Sequence, residues 1–373
     1  MRKQILALGL VLIFLCSCGS QGTEPSDKDA AISLQAPGAA TEEKDIQQVT
    51  VTEYPLPEEV AALEKLDLMD MDLYADKEQS LCNSNQLSFG DLTTDEEGNV
   101  YFVDFTQHAI FMCGPEGEDK ELLYEGVGEF LHVSNGYLYF VEIDVETIYC
   151  VGIVRIAIDT KEAEVLYETP CGEILVMRDI LYNNVPGLVS MKLEEPDGEF
   201  TRLSEINGVF FNTDGRYLLY NMVTDDTGFL SQRGYLLAWD TETETNYFVE
   251  SRKMFPLLAG NWLSYVDVWT GSRHVLDLET GTDTDLGYYA QHAVSDGNKL
   301  YWVKQYTGSF QIMLWDGEEV QEFLAVEGKE GVYGDVLLYL TGDYLYWMFE
   351  SDYLKEADWG YYRFSDSETG RLN

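Results

Sequence analysis

The sequence predicts an all-β fold, a β-propeller of seven four-stranded blades with an N-terminal strand closing the ring, and three observations carry that prediction. A tyrosine recurs seven times in one local pattern: GNVYFVD at Tyr101, GYLYFVE at Tyr139, DILYNNV at Tyr182, YLLYNMV at Tyr220, WLSYVDV at Tyr265, NKLYWVK at Tyr301 and DYLYWMF at Tyr346. The gaps are 38, 43, 38, 45, 36 and 45 residues, a period that belongs to repeat architectures. Each unit also carries short apolar runs divided by turn residues. Finally, 25 Tyr, 17 Phe, 7 Trp and 32 Gly among 373 residues favour strands and turns over helical bundles.

The unit begins with a short apolar run, such as FLHVS, GVFFNT or QHAVS. A turn follows, marked by Asn135-Gly136, Asp214-Gly215, Gly260-Asn261 or Asp296-Gly297, residues that tolerate positive φ. The tyrosine strand comes next, then a loop of variable length and a third strand such as GIVRIAID, YLLAWD or QIMLWD. A polar turn and a last strand, as in EVLYE, NYFVE and QEFLA, complete it. Four short antiparallel strands at this period are the pattern of propeller blades. In the aromatic stretch around Tyr301, residues Tyr301, Trp302 and Trp315 fall on repeating strand positions and are assigned to blade architecture.

The chain divides accordingly into residues 1–17, 18–45, 46–84 and 85–373, the last being the propeller. After Tyr346 too little sequence remains for a full outer strand, whereas QQVTVTEY at 47–54 alternates like a strand without a unit of its own. That segment is expected to add the outer strand of the seventh blade. The competing reading makes it the start of an eighth, degenerate blade. Only LPEEVAALEKL at 56–66 has a helical period.

VYFVD, LYFVE, LYWVK and LYWMF resemble the YWTD repeats of low-density-lipoprotein-receptor-type propellers, keeping the tyrosine and an aromatic after it. AWD at Trp239-Asp240 and LWD at Trp315-Asp316 are similar to strand ends of WD40 blades, without the Gly-His partner of that family. An Asp fills the fourth position of the YWTD pattern only at Asp104. Taken with the lipobox and tether described next, such repeats resemble those of a family of bacterial lipoproteins bearing YWTD-like propellers.

Residues 1–17 begin with Arg2 and Lys3 and continue with an apolar run from Ile5 to Leu15, the pattern of a secretory signal. The sequence Leu15-Cys16-Ser17-Cys18 resembles a bacterial lipobox, which implies lipid attachment at Cys18 and anchoring on the extracytoplasmic face of the bacterial cell membrane. Residues 19–45 lack aromatics and read as a flexible tether. Outside the cytoplasm disulfides are permitted, so Cys82, Cys113, Cys150 and Cys171 are disulfide candidates. Sequence proximity favours Cys82 with Cys113 and Cys150 with Cys171, while buried free thiols are the alternative.

A net charge of −44 repels phosphate backbones, so nucleic acid is not an expected partner. No Walker loop, G-x-S-x-G elbow or H-E-x-x-H motif occurs, and the four histidines lack ligand spacing, so neither catalytic residues nor a metal or cofactor is assigned. The acidic run DLMDMDLYAD lacks the Gly and Glu of an EF-hand loop. What remains is a recognition face on the loops between second and third strands. These carry the ligand-contact candidates Tyr149, Phe229, Trp269, Tyr306, Tyr353 and Trp359 among acidic residues. The expected function is non-catalytic binding of a glycan, peptide or protein by a membrane-tethered monomer. The alternative is a glycan-active hydrolase or lyase with carboxylates near the channel.

Overall fold

The computed structural model describes residues 56–168, 172–177, 179–184, 187–193, 200–222, 234–288, 290, 292–306, 309–327, 335–352 and 356–372. Within them the chain forms seven consecutive antiparallel sheets, one per repeat. Blade I comprises Leu92–Thr94, Val100–Asp104, Ala109–Cys113 and Glu121–Glu125, and blade II Val127–Ser134, Tyr137–Asp144, Tyr149–Ala157 and Ala163–Tyr167. Blade III comprises Ile174–Met177, Ile180–Asn183, Leu188–Lys192 and Thr201–Ser204, and blade IV Gly208–Thr213, Tyr217–Met222, Leu236–Asp240 and Thr245–Glu250. Blade V follows with Lys253–Ala259, Trp262–Asp267, Arg273–Asp277 and Asp283–Asp285, and blade VI with Ala293–Ser295, Leu300–Tyr306, Ser309–Trp315 and Val320–Glu327. Blade VII is Asp335–Leu340, Tyr344–Asp352, Glu356–Arg363 and Thr369–Arg371. This is the seven-bladed propeller that the repeat period predicts.

All seven repeating tyrosines lie on second strands and are buried. A buried ring contributes a large apolar area, but its hydroxyl needs a partner. Tyr101 donates to Asp95 (2.7 Å), Tyr220 to Asn246 (2.9 Å) and Tyr346 to the Pro115 carbonyl (2.9 Å). The repeat is therefore a packing unit, and Trp302 and Trp315 are buried with it. The turn glycines take the conformation the sequence requires, with φ +92° at Gly215 and +90° at Gly297. At Gly260 (φ +58°) a Cβ would stand 2.7 Å from the Gly297 carbonyl oxygen, so the turns of blades V and VI also need the missing side chain in order to meet.

The ring closes differently from the sequence expectation. The outer strand of blade VII is Thr369–Arg371, paired with Gly360–Tyr362, so all four of its strands come from the C-terminal end. Residues 47–54, expected there, lie outside the described residues. Side chains from blade VII grip blade I instead. The Trp359 indole N–H donates to the Val103 carbonyl (3.0 Å), and its ring lies 5.8 Å from Phe102 and 5.2 Å from Tyr339. Tyr344 donates to Glu116 (3.1 Å), which also pairs with Arg363.

The segment ahead of blade I forms no blade. Helical period over 56–66 yields only the turn-length helix Glu58–Ala61. Glu64–Lys65 then adds a parallel strand to Tyr247–Phe248 at the outer edge of blade IV. Leu68, Met71, Leu73 and Ala75 run inward over blades IV and V, packed with Leu219, Leu236 and Leu263. Ala75 and Gly260 exchange backbone hydrogen bonds, and the helix Lys77–Leu87 enters the central channel.

Candidate functional site

The channel helix starts at a capping-box pattern, Asp76-Lys77-Glu78-Gln79, in which the Gln79 N–H donates to the Asp76 carboxylate (2.9 Å). Its side chains are mostly polar, yet Ser80, Asn83, Ser84 and Gln86 are buried. The reason is the innermost strands, whose edges face the channel with unpaired backbone groups. Asn83 Nδ2 donates to the carbonyls of Thr213 (2.8 Å) and Leu258 (2.9 Å), and the Thr213 N–H donates to Asn83 Oδ1 (3.0 Å). The N–H of Ser295 donates to Ser84 Oγ (2.8 Å), that of Gly260 to Ser80 Oγ (3.0 Å) and that of Leu340 to Asn85 Oδ1 (2.9 Å). One helix thus ties together blades IV, V, VI and VII.

Because those bonds draw the helix toward blades IV to VII, space remains on its other side. A cavity of about 1630 Å³ lies between the helix and blades I to III, opening among the turns that join first and second strands. Its inner walls include Leu81, Leu131, Val133, Val176 and Met177, with Gln86 and His132. Seven carboxylates line it: Asp76 and Glu78 from the helix start, Asp95, Glu96 and Glu97 from blade I, Asp159 from blade II and Asp214 from blade IV. Among the described residues no Lys or Arg lines it. Tyr74, 62% exposed, stands beside these groups.

Behind the inner wall lies a buried polar chain. Gln86 Nε2 donates to Glu173 Oε1 (2.8 Å) and the Ile174 carbonyl (2.8 Å), while Gln86 Oε1 meets His132 Nε2 (2.8 Å). Glu173 also accepts the N–H groups of Phe210 (2.6 Å) and Phe211 (2.9 Å). Burial pushes the Glu173 carboxyl up to about 7 against the effect of those three donors, and lowers His132 to about 4. A carboxyl so shifted would ordinarily be a candidate general acid. Here its oxygens are spent on positioning the helix and the first strand of blade IV, and Glu173 is not a wall of the cavity.

The face predicted from sequence is at the other end of the blades. Tyr149 (41% exposed) and Trp269 (55% exposed) do lie at second-to-third-strand connections, on blades II and V. The Arg252 guanidinium covers the Trp269 ring at 3.6 Å while pairing with Asp267. Trp359 is 3% exposed and is a seam residue between blades VII and I, not a ligand contact. Tyr306 is the last rung of its hairpin, opposite Ser309. Phe229 and Tyr353 lie outside the described residues. Cys82 on the channel helix and Cys113 in blade I are free thiols, so the Cys82–Cys113 bridge is not formed; the two sit in different packing environments, and burial raises each to about 12. Cys171, the expected partner of Cys150, lies outside the described residues. No group of three or more His, Cys, Asp and Glu among the described residues could hold a metal ion. Sequence reasoning missed the helix because its apolar periodicity is weak, and the capping box was the available signal.

These features define a seven-bladed propeller whose channel is half filled by an N-terminal helix. The chain is similar in structure to an oligogalacturonate lyase in complex with manganese, at 12% identity and TM-score 0.49, over 75% of this chain and 84% of that one. It is also similar to a prolyl endopeptidase, at 10% identity and TM-score 0.52, over 80% of this chain and 52% of that one, so it spans about half of that enzyme. A third likeness is to TolB from Acinetobacter baumannii, at 12% identity and TM-score 0.41, over 64% of this chain and 66% of that one. No protein-family model matches the sequence, and no curated protein matches it. At these identities the likenesses speak to the fold alone.

Proposed function

We propose that this chain is an extracytoplasmic binding protein, a YWTD-like propeller held to a bacterial membrane by lipid on Cys18, which takes a ligand into the half-channel and performs no chemistry on it. The observation that carries this reading is the 1630 Å³ cavity itself. It is concave, has apolar inner walls with polar groups near its mouth, and is large enough for a ligand of several units. Its place differs from the loop face that the sequence favours. On that loop face Tyr149 and Trp269 are exposed and Trp359 is buried. The protein acts as a monomer, and its charge of −44 disfavours nucleic acid. The hydrolase or lyase alternative has less support, because the strongly shifted carboxyl, Glu173, is committed to structural hydrogen bonds.

The test uses the full chain in detergent against immobilised glycans and peptides, beside assays for released sugar ends and amines. Saturable capture of one ligand class without turnover is the expected result, lost in Ser134→Trp, which fills the cavity from the end of the first strand of blade II. Turnover that disappears on neutralising a single cavity carboxylate would replace binding with catalysis. Capture undiminished in Ser134→Trp would move the site elsewhere.

A further inference from the structure

We infer that the half-channel is a site for an elongated organic polycation, a ligand carrying several ammonium groups separated by methylene chains. This rests on reading the cavity as the ligand site. Seven carboxylates surround it, and among the described residues none of them makes an ion pair, although elsewhere Arg155 pairs with Glu164, Arg216 with Asp240 and Arg363 with Asp366. Three of the seven are occupied structurally. Asp76 caps the channel helix, Asp95 accepts from Asn99 and Tyr101, and Asp214 accepts the N–H groups of Arg216 and Tyr217. The carboxylates of Glu78, Glu96, Glu97 and Asp159 have neither hydrogen bond nor ion pair among the described residues and line the same cavity from exposed positions.

Their arrangement selects the kind of cation. A divalent metal needs several oxygens converging at about 2.0–2.6 Å, and no such group exists among the described residues. These four carboxylates instead stand on three separate walls, the helix start, the blade I turn and the blade II turn. Separate anionic walls are matched by separate cationic groups on one flexible ligand. Between and beneath the carboxylates, Leu81, Val133 and Val176 offer apolar surface for the methylenes. A concave cleft of one sign also focuses the field and raises the local concentration of such a ligand. A polyanionic glycan meets the opposite field and is rejected.

Free polyamines and the lysine side chains of a peptide share this chemistry. The experiment is calorimetric titration of the full chain in detergent with spermine, with tetralysine and with calcium chloride, each at low and at moderate salt. Binding of spermine or tetralysine is expected, weakening about tenfold in Glu96→Gln/Glu97→Gln and lost in Ser134→Trp, with calcium binding much more weakly. Tetralysine without spermine identifies a peptide source, and the reverse identifies a free polyamine. Unchanged thermal midpoints of these surface variants exclude a folding defect. The polycation assignment falls if neither amine binds, or if binding survives Glu78→Gln/Glu96→Gln/Glu97→Gln/Asp159→Asn. If a neutral or anionic ligand is instead captured and Ser134→Trp blocks it, the cavity remains the site and only the ligand class is overturned. Amine binding that persists in Ser134→Trp overturns the cavity.

Discussion

The buried titratable groups around the helix end act on stability in opposite senses. His132 and His292 are both held near 4 by burial, from an ordinary value of 6.5. Each folded imidazole binds fewer protons than its unfolded counterpart, so the stability associated with it is complete above pH 6.5 and is lost as pH falls toward 4. Glu173, raised from 4.5 to about 7, works the other way: its contribution is complete below 4.5 and is lost as pH rises toward 7. Two imidazoles outweigh one carboxyl, so these groups together destabilise the fold between pH 6.5 and 4.5. In His132→Asn the gain in unfolding free energy from pH 4.5 to 6.5 should shrink by about 2–3 kcal/mol relative to the parent. Urea unfolding at the two pH values checks this, and the difference between slopes discounts any uniform loss caused by the substitution.

Among the elements, the channel helix most clearly overrides local sequence preference. A helix polar all round packs poorly against an apolar core, but an inner ring of strand edges presents donors and acceptors, and Asn, Ser and Gln satisfy both kinds. Asn83 alone serves Thr213 twice and Leu258 once across two blades. Asn83→Ala strands those buried backbone groups and should cost about 3 kcal/mol or more, read as a lower thermal midpoint and urea midpoint with unchanged slope. The strands were legible before the structure because Tyr139, Tyr220 and Tyr301 recur at one register with alternating neighbours. The helix was not, because Asn83 and Ser84 look like surface residues until strands from distant repeats surround them. Trp359 was misread for the same reason: it follows a long loop in sequence but packs across the ring seam onto Phe102.

For the whole molecule, the segment ahead of blade I links the outer rim to the channel. The described chain pairs along the outer edge of blade IV through Glu64–Lys65 before crossing inward to the helix. The helical wall of the cavity is therefore joined by a short segment to that edge strand. The proposed lipid anchor predicts that the full chain expressed in a bacterium with an alkyne fatty acid is labelled and sediments with membranes. Cys18→Ser should abolish both, and Cys16→Ser neither.

The sequence by itself determined the blades: their number, their strands, their turns and the burial of the repeated tyrosine follow from a period that each unit carries locally. Tertiary structure alone decided how the ring closes and where the channel stays open. Those features join residues far apart in the chain, Trp359 with Val103, Asn83 with Leu258, Glu78 with Asp159. Nothing in the local pattern records which unpaired strand edge a distant polar side chain will satisfy, or which side of the channel is left open once it has done so.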